Sequence, residues 1–274
     1  MAALHRQNFG FDWDPANDQG REAADTLAAA DAWNRVEKAL GGAITCLRAA
    51  DPATAVPDLT VLLVVGDPTR AHFVDEVQGV SGFGGISGCI AITVRPTPLV
   101  LNRLEAIAVH GLHHNVRYAP GGIVWDPMTV TVGEHVVSGG LADVFAAELY
   151  GDAGCTHFVS EETRTDDQVL AKVATGLDVT GMPNFTVRVH GDAGARLFGT
   201  EPLGLPTGAG YSAGAWRARA GCSAGACPVR AYLDATGSTA ARSVRTPASG
   251  TLRLVTSRLG LSAGRSEPRP VRRD

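Results

Sequence analysis

The stretch Ala108-Val109-His110-Gly111-Leu112-His113-His114-Asn115 decides how the rest of the chain is read. On a helix, residues four apart lie about 40° apart around the axis. His110 and His114 then share one face, close enough to bind a single Zn²⁺. The spacing is that of the HExxH motif, where a glutamate after the first histidine activates the metal-bound water. Gly111 stands at that position here. The ligand pair is kept and the proton acceptor is not.

Working outward, a helix is predicted from about Leu99 to Tyr118, with Leu101, Leu104 and Ala108 as its apolar stripe and Pro120 beyond its end. Upstream, Cys89 to Val94 reads as a strand closed by Pro96 and Pro98, and Leu59 to Val65 as a β-rich run ended by Gly66. The glycine-rich stretch from Gly82 to Gly88 lacks the lysine or the spacing of a nucleotide-binding loop. Gly20 to Ala50 is helical by the spacing of Leu27, Trp33, Val36 and Leu40. Downstream, Gly133 to Tyr150 is predicted as a helix burying Val137, Leu141, Val144, Phe145 and Leu149. Asp167 to Leu177 and Pro228 to Thr236 also read as helical, and 199–225 reads as loop with one short helix.

A catalytic zinc takes three protein ligands and leaves the fourth position to water, so a third donor must come from another element. The segment Gly133 to Asp143 has the cadence of zincins whose third ligand is a glutamate and whose next turn carries an acid orienting a ligand histidine. On that register the ligand position is Gly139 and the orienting acid is Asp143.

The strings VSGFGGISGCIAITV, HGLHHNVRY, DPMTVTVGEHVVSGGLADVFAAELYG, GLPTGAGYSAG and VRAYLDATG resemble a family of predicted zinc-dependent metalloproteases over about residues 75–250. The resemblance implies HExHH where this chain has HGLHH, and EGLA where it has GGLA. It implies zinc as cofactor, His110 and His114 as ligands, Gly111 at the place of the general base and Gly139 at that of the third ligand. Asp143 is implied behind a histidine. Tyr211 is placed where a donor to the transition state could sit, and packing is its plainer role. The strand Cys89 to Val94 is implied as the sheet edge along which a peptide or protein substrate docks. At 216–228 the residues WRARAGCSAGACP interrupt a helix that the family leads one to expect.

Three nearby groups are candidate substitutes for the missing carboxylates: His113, Glu134 and His135. Two of them have a plainer role, Glu134 as a carboxylate at a helix start and His113 as a partly exposed helix residue.

The fold expected is α+β and zincin-like, with a small, mainly antiparallel sheet on two motif helices and a helical C-terminal part. A single domain over 1–250 and a basic, poorly ordered tail over 251–274 are expected. With 274 residues, 45% hydrophobic and 19% charged, the chain can bury a sizeable core. A net charge of −4 gives no electrostatic case for nucleic acid or an anionic membrane. No leader and no apolar run of the ~18–20 residues needed to cross a bilayer are read in it, so a cytoplasmic location is expected. Cys46, Cys89, Cys155, Cys222 and Cys227 are scattered and odd in number, which argues against a disulfide framework. The functional expectation is a metallopeptidase relative, inactive or severely impaired. The alternative is a metal-free peptide-binding or structural protein.

Overall fold

The computed structural model describes residues 8–11 and 18–215 and the backbone of 252–255. The N-terminal layer is two helices, α1 (Asp18–Ala29) and α2 (Ala32–Ala50), divided at Asp31 by a left-handed backbone (φ 53°). Helix α2 buries Val36, Ala39, Leu40 and Ala43, a stripe at helical spacing that packs into the main core.

The sheet has the order β2-β3-β1-β4, from β1 (Leu59–Val65), β2 (Val80–Ile86), β3 (Cys89–Val94) and β4 (Leu252–Val255). Leu59, Val61 and Leu63 of β1 and Ile90, Ile92 and Val94 of β3 are buried, the alternation expected of strands with one face on a core. The antiparallel character expected of the sheet belongs to the β2–β3 hairpin alone. Strand β1 pairs parallel with both β3 and β4, so the sheet is mixed. The cause is strand order. The glycine-rich β2 is left at the end.

That order corrects a second expectation: β3 is central, and the edge on this side is β2. Its glycines masked it as a strand, yet one of them is required there. A Cβ on Gly84 would stand 2.5 Å from the carbonyl oxygen of Gly111. The strand thus crosses the motif helix almost backbone to backbone. Asn115, fully buried, fixes the crossing: its amide nitrogen lies 2.7–3.2 Å from the carbonyls of Gly84, Ile86 and Cys89, and its oxygen accepts from Gly88 N–H at 3.0 Å.

The predicted helix from Leu99 is two: α3 (Pro98–Leu101), capped by Thr97, and the motif helix α4 (Leu104–Arg117). The break is held from outside, because Arg35 donates to the Leu101 carbonyl at 2.6 Å and makes a bidentate pair with Glu105 at 2.6 and 2.7 Å. Helix α5 (Val132–Tyr150) starts at Thr131, whose hydroxyl accepts the Glu134 N–H at 3.1 Å. Its buried face differs from the expected one. Of the expected residues Val137 is buried and Phe145 packs partly buried on the main core, but Leu149 is 36% exposed, and the buried side runs mainly through Val132, Val136, Gly139, Gly140, Asp143 and Ala146. Small residues win that face because another backbone meets it: a Cβ on Gly140 would stand 2.1 Å from the carbonyl carbon of Gly214, in the helical stretch 209–215.

Helix α5 therefore joins two cores. Its C-terminal part packs with α2, the sheet and α4, and its N-terminal part packs Val132 and Val136 with the C-terminal helices. Those are α6 (Glu161–Thr165), α7 (Asp167–Ala174), α8 (Met182–Val189) and α9 (Asp192–Phe198). The expected helix at 228–236, the interruption at 216–228, Cys222 and Cys227 lie outside the described residues. Strand β4 lies inside the stretch expected to have little order, and its pairing with β1 corrects that expectation for 252–255; the rest of the expected tail lies outside the described residues. Cys46 and Cys89 are free thiols. Among the described residues no helix is long and apolar enough to cross a membrane.

Candidate metal centre

Helix α4 places His110 and His114 one turn apart, facing α5. Their ring centroids are 4.8 Å apart and their Nε2 atoms 3.0 Å apart. Each ring is held from behind. Nδ1 of His110 lies 3.0 Å from Oδ1 of Asp143, which is 2% exposed and also accepts from the Thr156 hydroxyl at 2.6 Å. Nδ1 of His114 lies 2.7 Å from the buried Ser138 hydroxyl. Holding Nδ1 leaves Nε2 free to act as the donor atom, the arrangement in which a second group orients a metal-bound histidine.

Burial, and then the neighbouring imidazoles and Arg117, push His114 well below the ordinary histidine range, so it is neutral at pH 7 and ligand-competent. The Asp143 carboxylate accepts a hydrogen bond from Nδ1–H of His110, the tautomer that, in a neutral ring, leaves the lone pair at Nε2. Two lone pairs 3.0 Å apart repel unless a cation or a proton lies between them. Two nitrogens, each ~2.0–2.1 Å from one zinc at the tetrahedral angle, are about 3.3–3.4 Å apart. The observed separation is a few tenths of an ångström short of that, within the reach of a small ring rotation.

Gly111, Gly139, Asp143, Tyr211 and both histidines line one cavity of about 360 Å³. The sequence-predicted positions therefore meet in space. The third ligand position carries hydrogen only. A Cβ on Gly139 would stand 3.1 and 3.2 Å from ring carbons of Tyr211, and one on Gly111 3.0 Å from a methyl of Ile90. The donor set fits zinc in its histidine half and lacks the anionic third donor. Among the described residues no group of three or more His, Cys, Asp or Glu side chains is arranged to hold a metal ion.

The candidate substitutes fare unequally. Both oxygens of Glu134 accept from Arg117 at 2.7 Å, and Tyr118 donates to it at 3.2 Å, so that carboxylate is committed at the start of α5. His113 points away from the cavity lining. It lies 5.7 Å from Phe145, and burial followed by Arg117 lowers its pKa to about 3. His135 lines the cavity against Phe185, with ring centroids 4.1 Å apart, and burial lowers its pKa to about 4. Tyr211 is a neutral phenol, its pKa raised to about 12 by burial and then by Asp143, 6.2 Å from His110 between ring centroids.

Sequence reasoning missed Ser138, Thr156 and His190. Ser138 adjoins Gly139 and was open to notice as a hydroxyl beside the ligand position. Thr156 and His190 carry no sequence signal, because only the return of the chain over α5 brings them in.

The family described as "Predicted Zn-dependent protease (DUF2268)" matches residues 36–253. The chain belongs to this family. The match takes in β1 to β3, both helices of the site and Tyr211. The chain is also similar to "Uncharacterized protein YjfC" of Bacillus subtilis (strain 168), 35% identical over 156 residues, which is 56% of this chain and 50% of that protein. It thus spans about half the length of that curated relative. No solved structure matches.

Proposed function

We propose that this member of the zinc-protease family retains the imidazole half of a metal site and its substrate cleft but hydrolyses peptides poorly or not at all. The observation that supports this best is the facing pair of Nε2 atoms, each ring held at Nδ1, in a cavity also lined by the glycines at the base and third-ligand positions. Zinc bound there would act as a Lewis acid on water or a carbonyl oxygen. The chain's own residues would do the holding: His110 and His114 as donors, with Asp143 and Ser138 keeping the rings turned. What is missing is a proton acceptor at 111 and a charge-neutralising donor at 139. A positioned general base contributes ~10²–10⁴-fold, so peptidase activity by that route falls to near background. Glu134 is left out of this reading because Arg117 and Tyr118 already use it.

The substrate in this reading is an extended peptide or protein segment lying along β2, whose residues Ser81 to Gly85 line the cavity. That edge replaces β3 as the docking strand.

A specific observation favours a second reading, a metal-free binding protein. At 3.0 Å the two Nε2 atoms are also at hydrogen-bond distance. If Ser138 donates to Nδ1 of His114, then Nε2–H of His114 donates to His110 and the pair is satisfied without a cation. Zinc titration by calorimetry, with His110→Ala as control, separates the two. The first reading expects one zinc per chain, lost in the variant, without chelator-sensitive cleavage of a casein substrate. The second expects no heat and no change on adding chelator.

A further inference from the structure

The walls of the cavity carry a pattern that the metal-site reading does not use. Beyond the histidine pair its aromatic rings follow one another around the opening. Phe83 meets Trp125 edge-on at 5.2 Å, and Trp125 approaches His135 at 6.4 Å. His135 lies on Phe185 at 4.1 Å, and Phe185 meets His190 at 5.0 Å. His190 then faces Tyr211 at 6.0 Å, which returns to His110 at 6.2 Å. Met182, Leu197 and Phe198, on α8 and α9, extend the apolar wall outward and are partly exposed.

Charge is nearly absent from this lining. Among the described residues that form it there is no lysine, arginine or glutamate, and its one carboxylate, Asp143, is 2% exposed behind His110, with Oδ1 shared by His110 and Thr156 and Oδ2 without a hydrogen-bond partner. His135 and His190 are kept neutral by burial, each with a pKa of about 4. An incoming carboxylate would lose its water without a countercharge, and an ammonium would find one only at Asp143, buried behind His110 away from the ring of Phe83, Trp125 and Phe185, whereas an aromatic ring would meet other rings at offset or edge-on distances. A volume of about 360 Å³ lies at the small end of the ~300–1,000 Å³ typical of ligand pockets. It admits one or two side chains and not a folded partner.

We infer that the cavity selects a peptide segment carrying an uncharged aromatic side chain, which enters between Phe83, Trp125 and Phe185 while its backbone follows β2. The inference names the substrate class for the proposed site and rests on that reading for the choice of a peptide, but it does not require zinc. It is therefore tested without metal. Capped pentapeptides of the form Ala-Ala-X-Ala-Ala, with X as Phe, Asp or Lys, are titrated into the full chain in the presence of chelator, and binding is read by calorimetry.

The Phe peptide is expected to bind ~10-fold or more tightly than the Asp and Lys peptides, the scale set by burying one aromatic side chain. Phe185→Ala is expected to erase most of that ratio. Trp125→Ala, nearer the surface, does the same if the first variant does not fold. Equal binding of the three peptides, binding of none, or preference for a charged one overturns the inference. Failure of zinc binding with the Phe preference intact overturns the metal-site reading alone.

Discussion

Replacing both Gly111 and Gly139 by glutamate returns a proton acceptor and an anionic donor to the cavity, and the surroundings set the cost. The new Cβ atoms meet the Tyr211 ring at 3.1 and 3.2 Å and the Ile90 methyl at 3.0 Å, so side chains rather than backbone must yield, by a few tenths of an ångström. Glycine inside a helix is ~1 kcal/mol worse than alanine, and glutamate recovers part of that. The gain offsets the repacking, and the net change in stability should stay within about 1 kcal/mol. The effect on activity is not additive. A base without a firmly held metal has nothing to act on, and a third ligand without a base holds zinc idly. Either single variant should remain near the unmodified chain, while the pair gains ~10²–10⁴-fold. The assay is cleavage of a quenched fluorescent peptide set at fixed zinc, with chelator as control. A double variant no faster than the better single one, or a Gly139→Glu variant with unchanged zinc affinity, refutes the assignment of these two positions.

Asp143→Asn removes the charge behind His110 and should weaken zinc binding by ~10–100-fold, measured by chelator competition, with the helical signal retained. Glu134→Ala takes the carboxylate from a largely buried pair with Arg117 and should destabilise the fold by ~3–5 kcal/mol in denaturant unfolding, whatever the zinc level. Acid stability follows from the buried histidines, His113 and His114 as well as His135 and His190, of which the last two have folded-state pKa values of about 4, below the ordinary 6.5. Between those values the unfolded chain binds more protons, so stability is full above pH 6.5 and is lost as pH falls toward 4, by roughly 1 kcal/mol per pH unit for each histidine. Urea midpoints at pH 7, 6 and 5 check this, and His190→Phe should flatten the slope.

Strong periodicity was legible in this chain and tertiary contact was not. Strands Leu59–Val65 and Cys89–Val94 and helix α5 fall where their patterns place them, because buried apolar alternation and a threonine cap act locally. The spacing of His110 and His114 was readable because a helix converts sequence distance into angle, whereas Gly139 and Asp143 were singled out by the family resemblance. The β2 edge was hidden by glycines that exist for its crossing of α4. The break before Leu104 depends on Arg35, far upstream. Strand order, and with it the parallel β1–β3 pairing, has no local signature at all. The same holds for Thr156, His190 and the aromatic wall, which helices α8 and α9 and the loop around Trp125 bring to the cavity from distant parts of the chain.

The account depends on two imidazole nitrogens facing one shared cation position. Zinc-edge X-ray absorption on the unmodified chain, loaded with one equivalent of zinc, reads that position directly. The account predicts two imidazole nitrogens at ~2.0–2.1 Å, light oxygen donors completing the shell, and loss of the imidazole signal when His110 and His114 are both alanine. A sulfur donor, or a spectrum indifferent to those two substitutions, would contradict it.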